Sequence, residues 1–167
     1  MSLTSVRTYT LLTISPDLLT KNYDDLPIGH FIIKHGSSQL LAKLLELKSD
    51  LCNSADSEGR DLLYFAILMD KLDLAKLLMD NGAAQLAAIN NALADNNSKV
   101  IIDLATLNPE ILKHTINDKT ILHIALERDN TQLVSSLVPI SDTIFTMKNL
   151  LQLQKIDLAI IPFPGYN

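Results

Sequence analysis

Tryptophan is absent, cysteine occurs once, and only 5% of the 167 residues are aromatic. With Cys52 alone no intrachain disulfide can form, a usage that fits a reducing compartment. A core with so few rings must be built from Leu, Ile and Ala, which suits closely packed helices. Hydrophobic residues reach 47%, so the chain has enough apolar material to fold rather than stay disordered. Basic charge is also scarce: 14 Lys and Arg stand against 19 Asp and Glu, giving a net charge of −5 and a pI near 5.2. Nucleic-acid binding needs phosphate-neutralising cations in clusters, and no run supplies one. No apolar stretch approaches the roughly 18 residues that a membrane span requires. After Arg7, the segment from Tyr9 to Ile14 is short, broken by Thr, and lacks a small-residue cleavage site, so no signal peptide is expected. The chain reads as one soluble, cytoplasmic domain.

What is present is a repeat. Paired aliphatics fall at Leu44-Leu45 and Leu77-Leu78, followed by Leu104 and Leu137; from Leu45 the steps are 33, 26 and 33 residues. A second landmark, an alanine in the preceding helix, falls at Ala66, Ala92 and Ala125, with steps of 26 and 33. Leu62, Leu63, Ala66 and Ile67 make one apolar helical face, and Leu74, Leu77 and Leu78 make another on the next helix. Gly82 suits the left-handed residue that ends a helix. A helix pair of this kind cannot bury both its faces alone, so copies must stack.

These residues resemble the ankyrin-repeat family, whose unit is about 33 residues with a T-P-L-H-x-A signature. In the second copy Asp56-Ser57-Glu58-Gly59-Arg60 matches the D-x-x-G-x turn, Asp61-Leu62-Leu63-Tyr64-Phe65-Ala66 stands at the signature, and Leu77 to Ala83 matches L-L-x-x-x-G-A. The fourth copy carries Thr120-Ile121-Leu122-His123-Ile124-Ala125. The first copy, from about His30 to Asn53, is weaker, with Gly36 after the inner helix and Asp50-Leu51-Cys52-Asn53 as closing loop. Signature Pro is missing from copies two and four, and the third copy lacks a D-x-x-G turn. Residues 85–91 look helical from their start, predicting that the projecting turn is absent at 83–88 and leaves a notch. The resemblance implies an all-α solenoid of helix-turn-helix units over 24–138. An N-terminal cap over 1–23 includes a helix from Asp17 to about Lys21, opened by Ser15-Pro16. A C-terminal cap and tail over 139–167 starts a new helix at Ser141-Asp142, and Pro162 and Pro164 then force an extended end.

Catalytic and metal readings find little support. His123 reads as a structural histidine paired with Thr120 and backbone. His30 and His35 are five apart, a poor spacing for two ligands on one helix face, and His114 lies in a distant turn. Asp24-Asp25 and Asp56/Glu58 read as solvated turn acids. Ser135-Ser136 and Cys52 have no context for activation, and Cys52 reads as a small hydrophobe near a loop. No Gly-rich phosphate loop exists. No cofactor is expected.

What remains is surface. The resemblance implies that partners meet the turn tips and the inner-helix residues of the concave side: Ser57, Glu58, Arg60, Leu68 and Met69 in the second copy. In the fourth copy they are Asn117, Lys119, Glu127 and Arg128, and in the first, Lys34 and His35. Leu68 and Met69 either pack under a neighbouring turn or form the apolar centre of an interface with Glu58, Arg60 and Arg128 as its rim. The expected function is a monomeric, non-enzymatic adaptor or inhibitor that binds another protein. One concrete version is an effector that intracellular bacteria deliver into the host cytoplasm; another is an immunity-type protein that neutralises a toxin. The competing class is an enzyme using the notch at 83–92, and a third possibility is a homodimer through Ile160-Ile161-Pro162-Phe163.

Overall fold

A computed structural model of the chain describes residues 19–35 and 38–141. The chain is mostly helical and divides into two compact units, residues 1–101 and 102–167.

The first unit opens with a minimal hairpin, strands β1 (Asn22–Tyr23) and β2 (Leu26–Pro27), paired Asn22↔Pro27 and Tyr23↔Leu26. Asp24 and Asp25 both have positive φ, 49° and 62°, as a two-residue type I′ turn demands. Helices α1 (Ile28–His35) and α2 (Ser38–Leu47) follow, then a 3-10 turn over Ser49–Asn53. The next pair is α3 (Leu62–Leu68) and α4 (Leu72–Asp80), and then come α5 (Gln85–Ala94) and α6 (Ser98–Leu107), within which the division falls. Helix α3 is the centre, packed on α1, α4 and α5. All six residues from Leu62 to Ile67 are buried, including Tyr64 and Phe65, which the one-face reading had left out. A helix apolar on every side belongs inside. Leu41, Leu44, Leu45, Leu78, Ile89 and Ala92 complete the surrounding core.

In the second unit a 3-10 turn (Pro109–Lys113) leads to strands β3 (Thr115–Ile116) and β4 (Lys119–Thr120), again joined by a two-residue turn, with Asn117 and Asp118 at φ 51° and 63°. Helices α7 (Ile121–Glu127) and α8 (Thr131–Ser141) pack together over Ile121, Ala125, Leu133 and Leu137.

A third landmark shares the register of the alanines. The turns inside the helix pairs put a left-handed residue at Asp70, Asn96 and Asp129, 26 and 33 residues apart. In each turn the next N–H reaches back to the landmark alanine: Lys71 to Ala66 O at 2.8 Å, Asn97 to Ala92 O at 2.7 Å, and Asn130 to Ala125 O at 2.9 Å. This is the Schellman helix end, which satisfies carbonyls the last turn would leave open. Gly82, at φ 86°, ends α4 the same way, with Ala83 N–H donating to Leu78 O.

No hairpin stands at 83–88: α5 begins at Gln85, two residues after the Gly82 turn, as its helical composition predicts. Two expectations need correction. The segment expected to be helical to about Lys21 shows a 3-10 turn at Leu19–Thr20 and a bend at Lys21, with residues 1–18 outside the described residues. Ser141 does not start a new helix. Helix α8 begins at Thr131 and runs through Pro139. Ser141 is buried within α8, its hydroxyl donating to Val138 O at 2.7 Å. Residues 142–167, including the tail from Ile160 to Phe163, lie outside the described residues, as does Gly36.

Candidate functional site

The loop between α2 and α3 shows how the sequence builds a turn tip. Ala55 and Asp61 bridge across it, and Gly59 at φ 77° closes it. The Asp56 carboxylate organises the loop, accepting from Glu58 N–H at 2.9 Å, Arg60 N–H at 3.0 Å and Arg60 Nε at 2.8 Å. Arg60 Nη2 lies 2.7 Å from Asp56 Oδ2, Nη1 lies 3.0 Å from Glu58 Oε2, and the guanidinium sits 5.4 Å from the Phe65 ring centroid. Burial pushes the Asp56 carboxyl up, but the hydrogen bonds from Arg60 and Glu58 outweigh it and hold the pKa below 3.8. Asp56 is thus no solvated turn acid, because its side chain is enclosed and fully paired. Arg60 is half-buried, with Nε, Nη1 and Nη2 each engaged by a carboxylate of the loop. Ser57 and Glu58 remain exposed at the tip.

Beyond this loop the sequence-derived surface residues are open. Leu68, the last residue of α3, is 40% exposed, and Met69, its C-cap, is 38% exposed. Leu72, the first residue of α4, adds a third exposed apolar side chain to the same connection. Lys34 and His35 lie in the last turn of α1; the His35 ring is tilted against Phe31 at 5.0 Å and its Nε2 lies 3.9 Å from Asp24 Oδ2. In the second unit Asn117 is at the tip of the hairpin, and Lys119 Nζ pairs with Glu127 Oε2 at 2.7 Å. Arg128 is exposed as the C-cap of α7. The structure therefore gathers Leu68 and Met69, and separately Lys119 and Glu127, within their own units.

Several polar contacts that sequence reasoning did not foresee form rungs between residues about 30 positions apart in the first unit. His30 Nε2 donates to Arg60 O at 2.8 Å, and Ala84 N–H donates to Asn53 Oδ1 at 2.9 Å. Asn91 Nδ2 donates to Asp61 Oδ2 at 2.8 Å, the Tyr64 hydroxyl donates to Asp95, and Lys99 pairs with Asp70 at 3.0 Å. Their separations, 29 to 31 residues, are the signal that could have found them. Asp61 also caps α3 by accepting from Tyr64 N–H at 2.9 Å. Burial raises its pKa even though Tyr64 and Asn91 donate to it. Burial and the neighbouring Asp95 push the Tyr64 hydroxyl up to about 12.

His123 behaves as expected. Thr120 caps α7, its hydroxyl accepting from His123 N–H while His123 Nδ1 accepts from Thr120 N–H at 3.3 Å, a closed capping box. Cys52 is buried, its Sγ accepting from Asn53 Nδ2 at 3.3 Å, and burial raises its thiol pKa. Among the described residues no group of three or more His, Cys, Asp or Glu side chains is placed to hold a metal ion, and no helix is long and apolar enough to cross a membrane. No family model matches the chain, and neither a curated protein nor a solved structure matches it.

Proposed function

We propose that this chain is a degenerate ankyrin-type binding module that holds another protein against inner-helix ends and turn tips. Support for the repeat comes from the alanine-anchored Schellman turns in one 26–33 register, and from rungs that join positions about one copy apart. The observation that carries the binding reading is the pair Leu68 and Met69. Helix α3 hides every residue from Leu62 to Ile67, yet its last residue and its cap turn two large apolar side chains to solvent. The part of each residue left exposed is not used by the fold, and covering it would supply the buried centre of an interface. Ser57 and Glu58 at the loop tip serve as polar rim; Arg60 serves by holding that loop in shape.

The test is affinity capture with the wild-type chain and with Leu68→Glu/Met69→Glu, followed by mass spectrometry. Both changes sit on exposed positions, so helicity by circular dichroism should match wild type. A partner retained by the wild type and lost by the variant is the expected result. An identical set of retained proteins would refute the proposed surface.

A further inference from the structure

His30 occupies in the first copy the place that His123 occupies in the fourth. Both stand three residues after the strand residue that closes a two-residue hairpin, Pro27 in one and Thr120 in the other. The surroundings then diverge. Around His123, Nδ1 has Thr120 Oγ1 at 2.6 Å and Thr120 N–H at 3.3 Å. Pro27 has neither a hydroxyl nor an N–H, so His30 loses both partners at once. Its Nδ1 is the buried side-chain nitrogen or oxygen that, among the described residues, has no hydrogen-bond partner.

The other ring nitrogen is fixed. A carbonyl only accepts, so the 2.8 Å contact to Arg60 O requires the proton on Nε2. Nδ1 is then a bare acceptor inside a ring with 0% exposure, set edge-on 5.1 Å from Phe65. A second proton would have to enter at Nδ1, creating a charge and a donor where no acceptor waits. The single hydrogen bond involved also ties helix α1 to the α2–α3 loop, across the junction of the first two copies.

We propose that His30 is a pH-sensitive clasp: acid protonates its unpartnered nitrogen and releases the first helix pair, α1 and α2, from the second. The charged groups that bear on the ring come from the loop and the start of α3. Asp56 and Asp61 favour the charged ring, whereas Arg60 opposes it. Burial is the largest influence and holds the His30 pKa below its ordinary value of 6.5. On the hairpin side, Asp24 Oδ2 lies 3.9 Å from Nε2 of the exposed His35 and does not face the His30 ring. The sign follows directly. Below pH 6.5 the opened form binds more protons than the packed one, so stability of the junction rises with pH. It is full above pH 6.5 and is lost progressively as pH falls below that value.

Amide hydrogen exchange, corrected for its intrinsic pH dependence, tests this on the full chain at pH 7.5 and 5.0. If the packed ring stays neutral, linkage sets an upper limit of about 30-fold on the increase in opening. The expected result is a loss of protection approaching that factor across residues 28–47, with α3 to α5 changing far less. His35→Gln should behave as wild type, and His30→Gln, which keeps an N–H donor toward Arg60 O but cannot titrate, should abolish the change. Unchanged protection at pH 5.0, equal loss in α5, or the same loss in His30→Gln would overturn the clasp. Should His30→Gln fail to fold, the wild-type ring decides by NMR titration. Protonation that follows the exchange loss supports the clasp, and a ring that titrates near 6.5 without opening refutes it.

Discussion

Replacing Gly29 with alanine sets two known effects against each other at one junction. Gly29 lies in α1 without positive φ, so its backbone suits any residue, and alanine should gain about 0.5–1 kcal/mol of helix stability. The added Cβ, however, would stand 2.8 Å from Leu62 Cδ1 and 3.0 Å from Leu62 Cδ2. Leu62 is fully buried on the central helix α3, whose start is fixed by the Asp61 cap, so its methyls have little room to retreat. Overpacking of this kind costs about 1–3 kcal/mol. The clash should win by about 1 kcal/mol, the difference between the midpoints of those two effects. In urea, with circular dichroism as readout, that is a midpoint lower by about half a molar. Leu62→Ala alone should cost about 2–5 kcal/mol by leaving a cavity. In that background Gly29→Ala fills space instead of invading it, and it should become stabilising. The double-mutant cycle should thus show a coupling of about 2 kcal/mol. Additive effects, or a Gly29→Ala protein at least as stable as wild type, would refute the packing argument.

Other outcomes follow from the caps. Thr120→Ala opens the capping box of α7 and should cost about 1 kcal/mol, with Thr120→Ser retaining most of it. Calorimetry checks this as a Tm lower by roughly 2–4 °C for a chain of this size, and an unchanged Tm would contradict the role given to Thr120. At Asn96, φ 53°, stability should rank Gly at or above Asn and Asn above Ala, the last step worth about 1 kcal/mol, because an alanine Cβ clashes in the left-handed region. Alanine at wild-type stability or above would exclude that backbone conformation.

Much of the helical layout was legible because small residues mark close approach. Ala66, Ala92 and Ala125 sit at 0% or 1% exposure, and their spacing also locates the missing hairpin before α5. The left-handed residues Asp70, Asn96 and Asp129 carry the same spacing but hide among surface polar residues. His30 escaped notice as a signature histidine because Pro27 is displaced by one position and Gly29 stands where the second and fourth segments have Leu63 and Leu122. The setting of Arg60 was hidden for a more general reason. An arginine in a turn looks solvated in sequence, and nothing local says that Asp56, Glu58 and the Phe65 ring will converge on it. Burial of Tyr64 and Phe65 depended on neighbours on both sides of α3, which no single-helix periodicity contains.

The rungs of the first unit bear on how quickly the chain can find its structure. A loop of about 30 residues costs on the order of 3 kcal/mol in length-dependent closure entropy. Three rungs, Asp61 to Asn91, Tyr64 to Asp95 and Asp70 to Lys99, close nearly the same loop. Once one has formed, the others need only a few residues brought into line, so a single closure is shared among three contacts. The stretch carrying Asp61, Tyr64 and Asp70 is therefore the natural starting point of assembly, from which the first helix pair is added across His30 and Arg60. Contacts made at such uniformly modest separations favour fast folding that spreads outward from helix α3.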